Sequence, residues 1–154
     1  MLNYSIPGNE EPLILETLIL DLNGTLTIDG KVIEGVRERL DALRDQLRLV
    51  LFTGDTQGNA ARIAGELGLE VRVTPNAEAK AAEAKLLHPE HCATIGNGRI
   101  DAELFNTVRL RIAVIQAEGA HREALLSSDV IFTSINDALD FLLHPKRVVA
   151  SLRK

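Results

Sequence analysis

The chain has no tryptophan, and aromatic residues make up 3% of its 154 residues. Its core must therefore be aliphatic, and an apolar content of 45% is enough to build one, which excludes a disordered chain. A single cysteine, Cys92, excludes an internal disulfide, and it reads as a small core residue of a strand. No stretch approaches the roughly 20 apolar residues of a membrane span. The N-terminus also lacks the basic flank and apolar run of a signal peptide, so the expectation is a cytoplasmic protein with no membrane partner. The formal charge is −5 with both signs mixed along the chain, so nucleic acid is not expected as the main partner.

Apolar patterning supplies the rest of the architecture. Tyr4-Ser5-Ile6 and Leu13-Ile14-Leu15 read as two short strands around a turn at Pro7-Gly8-Asn9, giving an N-terminal hairpin over residues 1–16. Leu18-Ile19-Leu20 is continuously apolar and stops at Asp21, as suits a strand covered on both faces. Asp29-Gly30 marks a hairpin turn within residues 26–33. Val36, Leu40, Leu43 and Leu47 recur at helical spacing. Strands then alternate with helices. Leu49–Phe52 precedes a helix from about Gln57 to Leu67, and Glu70–Val73 precedes an Ala-rich helix from Asn76 to Leu87. Cys92–Ile95 precedes a helix near Arg99. Leu110–Ile115 and Val130–Phe132 flank a short helix, and helices from Ser134 and Pro145 close the chain. Such alternation implies an α/β fold, a parallel sheet with helices on both faces, here as one domain with its core over residues 17–154. Ligands of such sheets sit at the carboxyl ends of the strands.

Four polar clusters fall at those ends. Asp21-Leu22-Asn23-Gly24-Thr25 places an acid directly after a buried strand, although an ordinary Asn-Gly turn accounts for it equally well. Thr53-Gly54-Asp55 offers a hydroxyl and backbone N–H groups to a phosphate, or a helix cap at Asp55 or Thr56. Lys80, with Lys85 as its rival, is a cation that could offset an anionic reaction centre, or simply part of a solvated helix face. Gly96-Asn97-Gly98-Arg99-Ile100-Asp101 carries oxygen side chains of the kind Mg²⁺ prefers, or is another glycine-rich turn.

Together and in this order the clusters resemble the haloacid dehalogenase superfamily over roughly residues 18–133, with its Asp-x-Asp-Gly-Thr, Ser/Thr, Lys and acidic motifs. Gly-Asn-Gly-x-x-Asp and Thr-Gly-Asp also resemble motifs of P-type ATPases, which places the chain beside the soluble, P-type ATPase-like phosphatases. The resemblance implies a three-layer Rossmann-like fold and an Asp21 nucleophile that forms an aspartyl-phosphate. It gives Thr53, Gly54 and Lys80 the phosphate, and Asp21, the Asn23 carbonyl, Asn97 and Asp101 a Mg²⁺ cofactor. Lys80 is preferred to Lys85 because it lies nearer the start of its helix.

Two positions depart from the pattern. Asn23 stands where the family's phosphatases carry the Asp that protonates the leaving group, and Asn97 stands where an acidic metal ligand is usual. Neither usual cap position has room for an inserted domain, so the site should be open. An open site suits a phosphorylated small molecule or an exposed macromolecular phosphate, or coverage by another copy in a homo-oligomer. Two readings follow: a phosphatase that is weak on unactivated esters, and a catalytically impaired module that binds phosphate or a partner.

Overall fold

The computed structural model describes residues 1–54 and 59–154. The caps expected at Asp55 or Thr56 and the helix start expected at Gln57 lie outside the described residues. The chain opens with β1 (Leu2–Tyr4) and β2 (Leu13–Leu15), continues through β3 (Thr17–Leu20), and forms a flap from β4 (Thr27–Ile28) and β5 (Lys31–Val32). Then come α1 (Val36–Leu43), β6 (Arg48–Thr53), α2 (Asn59–Leu67), β7 (Glu70–Val73) and α3 (Ala77–Lys85). β8 (Cys92–Gly96) leads through a 3₁₀ turn into α4 (Ala102–Thr107). β9 (Leu110–Val114), α5 (Arg122–Leu126), β10 (Val130–Phe132), α6 (Ile135–Leu143) and α7 (Pro145–Leu152) complete the order.

Six strands form one parallel sheet in the order β10-β9-β8-β3-β6-β7. The central strand shows why a short apolar run sufficed. Leu18 and Leu20 pack into the larger core with α1, α2 and α6, while Ile19 packs oppositely with Val50, Phe52, Ala84 and Leu104. A strand with apolar neighbours on both faces loses the alternating pattern of a half-buried one. After β3 the chain builds β6 and β7 on one side, then crosses back to build β8, β9 and β10 on the other. The carboxyl ends of β3 and β8 therefore face each other where the strand order reverses, the usual crevice for a ligand.

The N-terminal hairpin is present, with one correction. Its first strand is Leu2–Tyr4, not Tyr4–Ile6, and Leu2 pairs with Leu15. Leu2, Tyr4 and Ile6 all turn inward, so the period-two pattern could not say which end pairs. Ile6 stays buried but belongs to the connecting turn, where its carbonyl accepts from the Asn9 N–H at 3.0 Å. The Asp29-Gly30 turn forms as expected, with φ of 51° and 79° at its two central residues.

Tyr4 joins the hairpin to the core by donating its buried hydroxyl to the Leu142 carbonyl at 2.7 Å, near the end of α6. The last carbonyls of a helix have no partner within it. Tyr4→Phe should lower stability by about 1–2 kcal/mol, read as an earlier midpoint in urea. An unchanged midpoint would show that this bond contributes nothing net.

Candidate active site

Three loops and one helix bring the expected residues together. Asp21 follows β3 and is held there by its backbone N–H, which donates to the Ile95 carbonyl at 3.1 Å, so the pairing with β8 runs one residue beyond the strand. Thr53 closes β6, and Thr53 and Gly54 line the same hollow as Asp21. The cavity, of about 390 Å³, is walled by Asp21, Asn23, Thr53, Gly54, Lys80, Asn97, Gly98 and Ile100. Asn23 is exposed at its mouth. Apart from the β4–β5 flap, nothing is inserted between β3 and α1, and the site has no cap among the described residues.

Lys80 lies at the centre of the polar cluster. Asn76 caps α3, its side chain accepting from the Ala79 N–H at 2.8 Å, and this starts the helix one turn before the lysine. The Lys80 ammonium donates to Asp21 Oδ1 at 3.0 Å and to Asp101 Oδ1 at 2.7 Å, with 1% of its side chain exposed. Lys85 is exposed, so the choice between the two lysines falls to Lys80. Burial works against the Lys80 ammonium, but Asp21 and Asp101 outweigh it and raise the pKa above the ordinary lysine value.

Asp101 stands behind this cluster and does not line the cavity. Its Oδ2 accepts from the backbone N–H groups of Asn97 and Gly98 at 3.1 and 2.9 Å, while Oδ1 takes the lysine. The residue is 1% exposed. In this arrangement Asp101 shapes the Gly96–Gly98 turn and anchors Lys80, rather than turning an oxygen toward the cavity. Gly96 is required there because any Cβ would strike the Asp101 carboxylate at 2.6 Å.

Asn97 lies across the Thr25 hydroxyl from Asp21. Its Nδ2 donates to the Gly119 carbonyl at 2.9 Å, which leaves Oδ1 pointing toward Thr25. The buried Thr25 hydroxyl lies 3.3 Å from both Asn97 Oδ1 and Asp21 Oδ2. Nothing local in the sequence announces that the Thr25 side chain turns inward. Gly24 has φ of +76°, and a Cβ there would collide with the Asn97 amide. The loops after β3 and β8 thus touch through a residue that only glycine can be.

The donors available to a cation are all oxygen: the Asp21 carboxylate, the Asn97 amide oxygen and the local backbone carbonyls. Among the described residues no three His, Cys, Asp or Glu side chains gather into a metal cage. This set fits Mg²⁺, which takes few protein ligands and completes its shell with water and substrate phosphate. It does not fit an ion that needs nitrogen or sulfur.

The residues 13–108 match the model of the haloacid dehalogenase-like hydrolases, and the chain belongs to that family. An uncharacterized protein of Methanocaldococcus jannaschii is 48% identical over 59 residues, which is 38% of this chain and 63% of that protein. The chain therefore matches less than two thirds of that relative's length. Among solved structures, the fold is similar to the 3-deoxy-D-manno-octulosonate 8-phosphate phosphatase of Moraxella catarrhalis, a complex with magnesium ion, phosphate ion and KDO. The TM-score is 0.69 at 22% identity, over 89% of this chain and 90% of that one. It is also similar to part of a zinc-transporting PIB-type ATPase in its E2.Pi state, with TM-score 0.66 and 27% identity. That match spans 79% of this chain and 20% of that one. Among the described residues no helix is long and apolar enough to cross a membrane.

Burial is the largest influence on Asp21, and with the neighbouring Asp101 carboxylate it pushes the Asp21 pKa up to about 6, against the pull of Lys80. The cluster holds two carboxylates and one ammonium, so one negative charge is in surplus. A carboxyl whose folded pKa is raised favours the protonated folded protein. Its stabilising effect is present below the ordinary value of 3.8 and is lost as pH rises through about 6. Asp21→Asn should therefore melt higher than the native protein above about pH 6 without divalent cations, by on the order of 1–3 kcal/mol at ~1.4 kcal/mol per pKa unit. The two should converge near pH 4. A native protein that is the more stable one at pH 8 would refute the charge surplus.

Proposed function

We propose that the chain is a Mg²⁺-dependent phosphohydrolase acting through an aspartyl-phosphate on Asp21, on phosphorylated small molecules or exposed macromolecular phosphates. The observation that carries this reading is the Asp21 carboxylate at the base of the cavity, with Oδ1 held by buried Lys80 and Oδ2 beside the Thr25 hydroxyl. Two hydrogen bonds fix this carboxylate and still leave lone pairs on its oxygens for attack. Family membership and the phosphatase among the similar folds support the same chemistry.

In the first half-reaction an Asp21 oxygen attacks phosphorus, the bond to the leaving oxygen breaks, and that oxygen departs with the electron pair. Lys80 offsets the charge on the phosphoryl group, and Thr53 with the Gly54 N–H holds its oxygens. In the second, water attacks phosphorus, the bond from phosphorus to the Asp21 oxygen breaks with the electron pair returning to the carboxylate, and the water's proton passes to the departing phosphate or to solvent. Bound beside Asp21 and Asn97, Mg²⁺ would neutralise charge between nucleophile and phosphate. Asn23 can donate a hydrogen bond to the leaving oxygen but holds no proton to give. General acid catalysis is worth about 10²–10⁴-fold, so substrates with poor leaving groups should turn over slowly.

Asn23→Asp should raise hydrolysis of alkyl phosphates by about tenfold or more, and that of acetyl phosphate far less, since carboxylates leave unprotonated. Asp21→Asn should abolish both. The measurement is phosphate release by the three proteins with excess Mg²⁺. Turnover surviving in Asp21→Asn would exclude the covalent route, and no turnover in the other two would favour a phosphate- or partner-binding module.

Asn97→Asp adds a charge next to Asp21 and should tighten Mg²⁺ binding by about tenfold, read by titration calorimetry. Unchanged affinity would remove Asn97 from the ligand set.

A further inference from the structure

The loop after β9, residues 115–121, reaches both turns of the candidate site that follow β3 and β8. Gln116 Nε2 donates to the carbonyls of Gly24 and Thr25 at 3.0 and 2.9 Å, and its Oε1 accepts from the Ile135 N–H at 2.8 Å, at the start of α6. Two carbonyls on one side and an N–H on the other allow the amide a single orientation. Three residues on, the Gly119 carbonyl holds the Asn97 side-chain amide, and the His121 N–H donates to the Asn97 carbonyl at 2.8 Å. Glu118 Oε2 accepts from the Asp29 N–H at 3.2 Å and ties down the tip of the β4–β5 flap.

We propose that Gln116 is a positioning residue for the Asp21 reaction. Its amide sets the course of the Gly24–Thr25 backbone, and through the Thr25 hydroxyl it sets the placement of Asp21 against Asn97. The inference rests on the assignment of Asp21 as nucleophile. It follows from a requirement of the turn. Within it the Gly24 and Thr25 N–H groups bond to the Thr27 and Leu22 carbonyls, while the Gly24 and Thr25 carbonyls turn outward to the Gln116 amide. Glutamine is the side chain that meets two carbonyls and one N–H at once; glutamate lacks the donors and methionine lacks both kinds of group. The Thr25 hydroxyl sits 3.3 Å from each of two oxygens, so a small turn of its backbone moves it off one of them. Groups that hold a reacting carboxylate or a metal-facing oxygen from behind are typically worth about 10–100-fold in activity or metal affinity.

The test compares Gln116→Met and Gln116→Glu with a control, Ser134→Ala. The Gln116→Glu variant keeps an acceptor for the Ile135 N–H, so it spares α6 while breaking the hold on Gly24 and Thr25. Ser134 caps the same helix, its hydroxyl accepting from the Asp137 N–H at 3.1 Å, without touching the loops. Melting temperature, Mg²⁺ affinity by calorimetry, and kcat and KM on acetyl phosphate are measured for each. Both Gln116 variants should lose about tenfold or more in kcat and weaken Mg²⁺ binding, with KM within about twofold of native. Ser134→Ala should lower the melting temperature alone. Unchanged kcat and Mg²⁺ affinity in Gln116→Glu would overturn the proposal, as would the control losing both in proportion to its stability. Should Gln116→Met not fold, Gln116→Glu decides. A native protein that hydrolyses nothing would sink the proposed reaction, and the Mg²⁺ titrations would still decide the role of Gln116.

Discussion

A lysine ammonium buried between two carboxylates costs more to desolvate than almost any other arrangement in a small protein. Lys80 persists there because Asp21 and Asp101 each give it a short charge-assisted bond, at 3.0 and 2.7 Å. Much else is arranged around that contact. It fixes α3 against the carboxyl ends of β3 and β8 and holds the Gly96–Gly98 turn through Asp101. It also fixes Asp21 by Oδ1, while Oδ2 meets the Thr25 hydroxyl. Removing the ammonium would leave two carboxylates facing each other in a nearly dry interior, so the cluster depends on Lys80 above either acid.

The cluster is also unbalanced, and the imbalance has a direction. One ammonium serves two carboxylates, so the base of the cavity favours an added positive charge. Asn97 contributes an oriented carbonyl oxygen without a charge, and Asn23 contributes an amide at the mouth. The result is a less anionic cavity than the family pattern implies for this position. On the proposed reading, such a site would hold Mg²⁺ with few protein charges and leave ligand positions to phosphate.

The two similar folds bracket this arrangement. One is a phosphatase solved with magnesium, phosphate and sugar acid, and the other is part of an ATPase solved in its E2.Pi state. Among the described residues this chain has neither a membrane helix nor a cap, and its only insertion by the site is the flap. The loop after β9 braces that flap together with the turns that follow β3 and β8.

The alternation of strands and helices, the parallel sheet, the flap turn at Asp29-Gly30 and the residues at the strand ends were legible in the linear order. Period, apolar run length and turn chemistry are local properties; Asp21, Thr53 and Asn97 announced themselves by following such elements, whereas Lys80, inside a helix, rested on the family resemblance. The hairpin register was not legible, because Leu2, Tyr4 and Ile6 share one face and either end could pair. The roles of Asp101, Thr25 and Gln116 were not legible either. A carboxylate five residues past a strand can ligate a cation or brace its own turn, and only the packing of α3 brings Lys80 to it. A lone glutamine after β9 carries no signal until the loop following β3, 92 residues away along the chain, turns its carbonyls toward it. Local sequence determined which groups stand at the edge of the sheet; the packing of helices and loops across that edge decided which of those groups meet, because hydrogen bonds depend on ångströms that no spacing along the chain encodes.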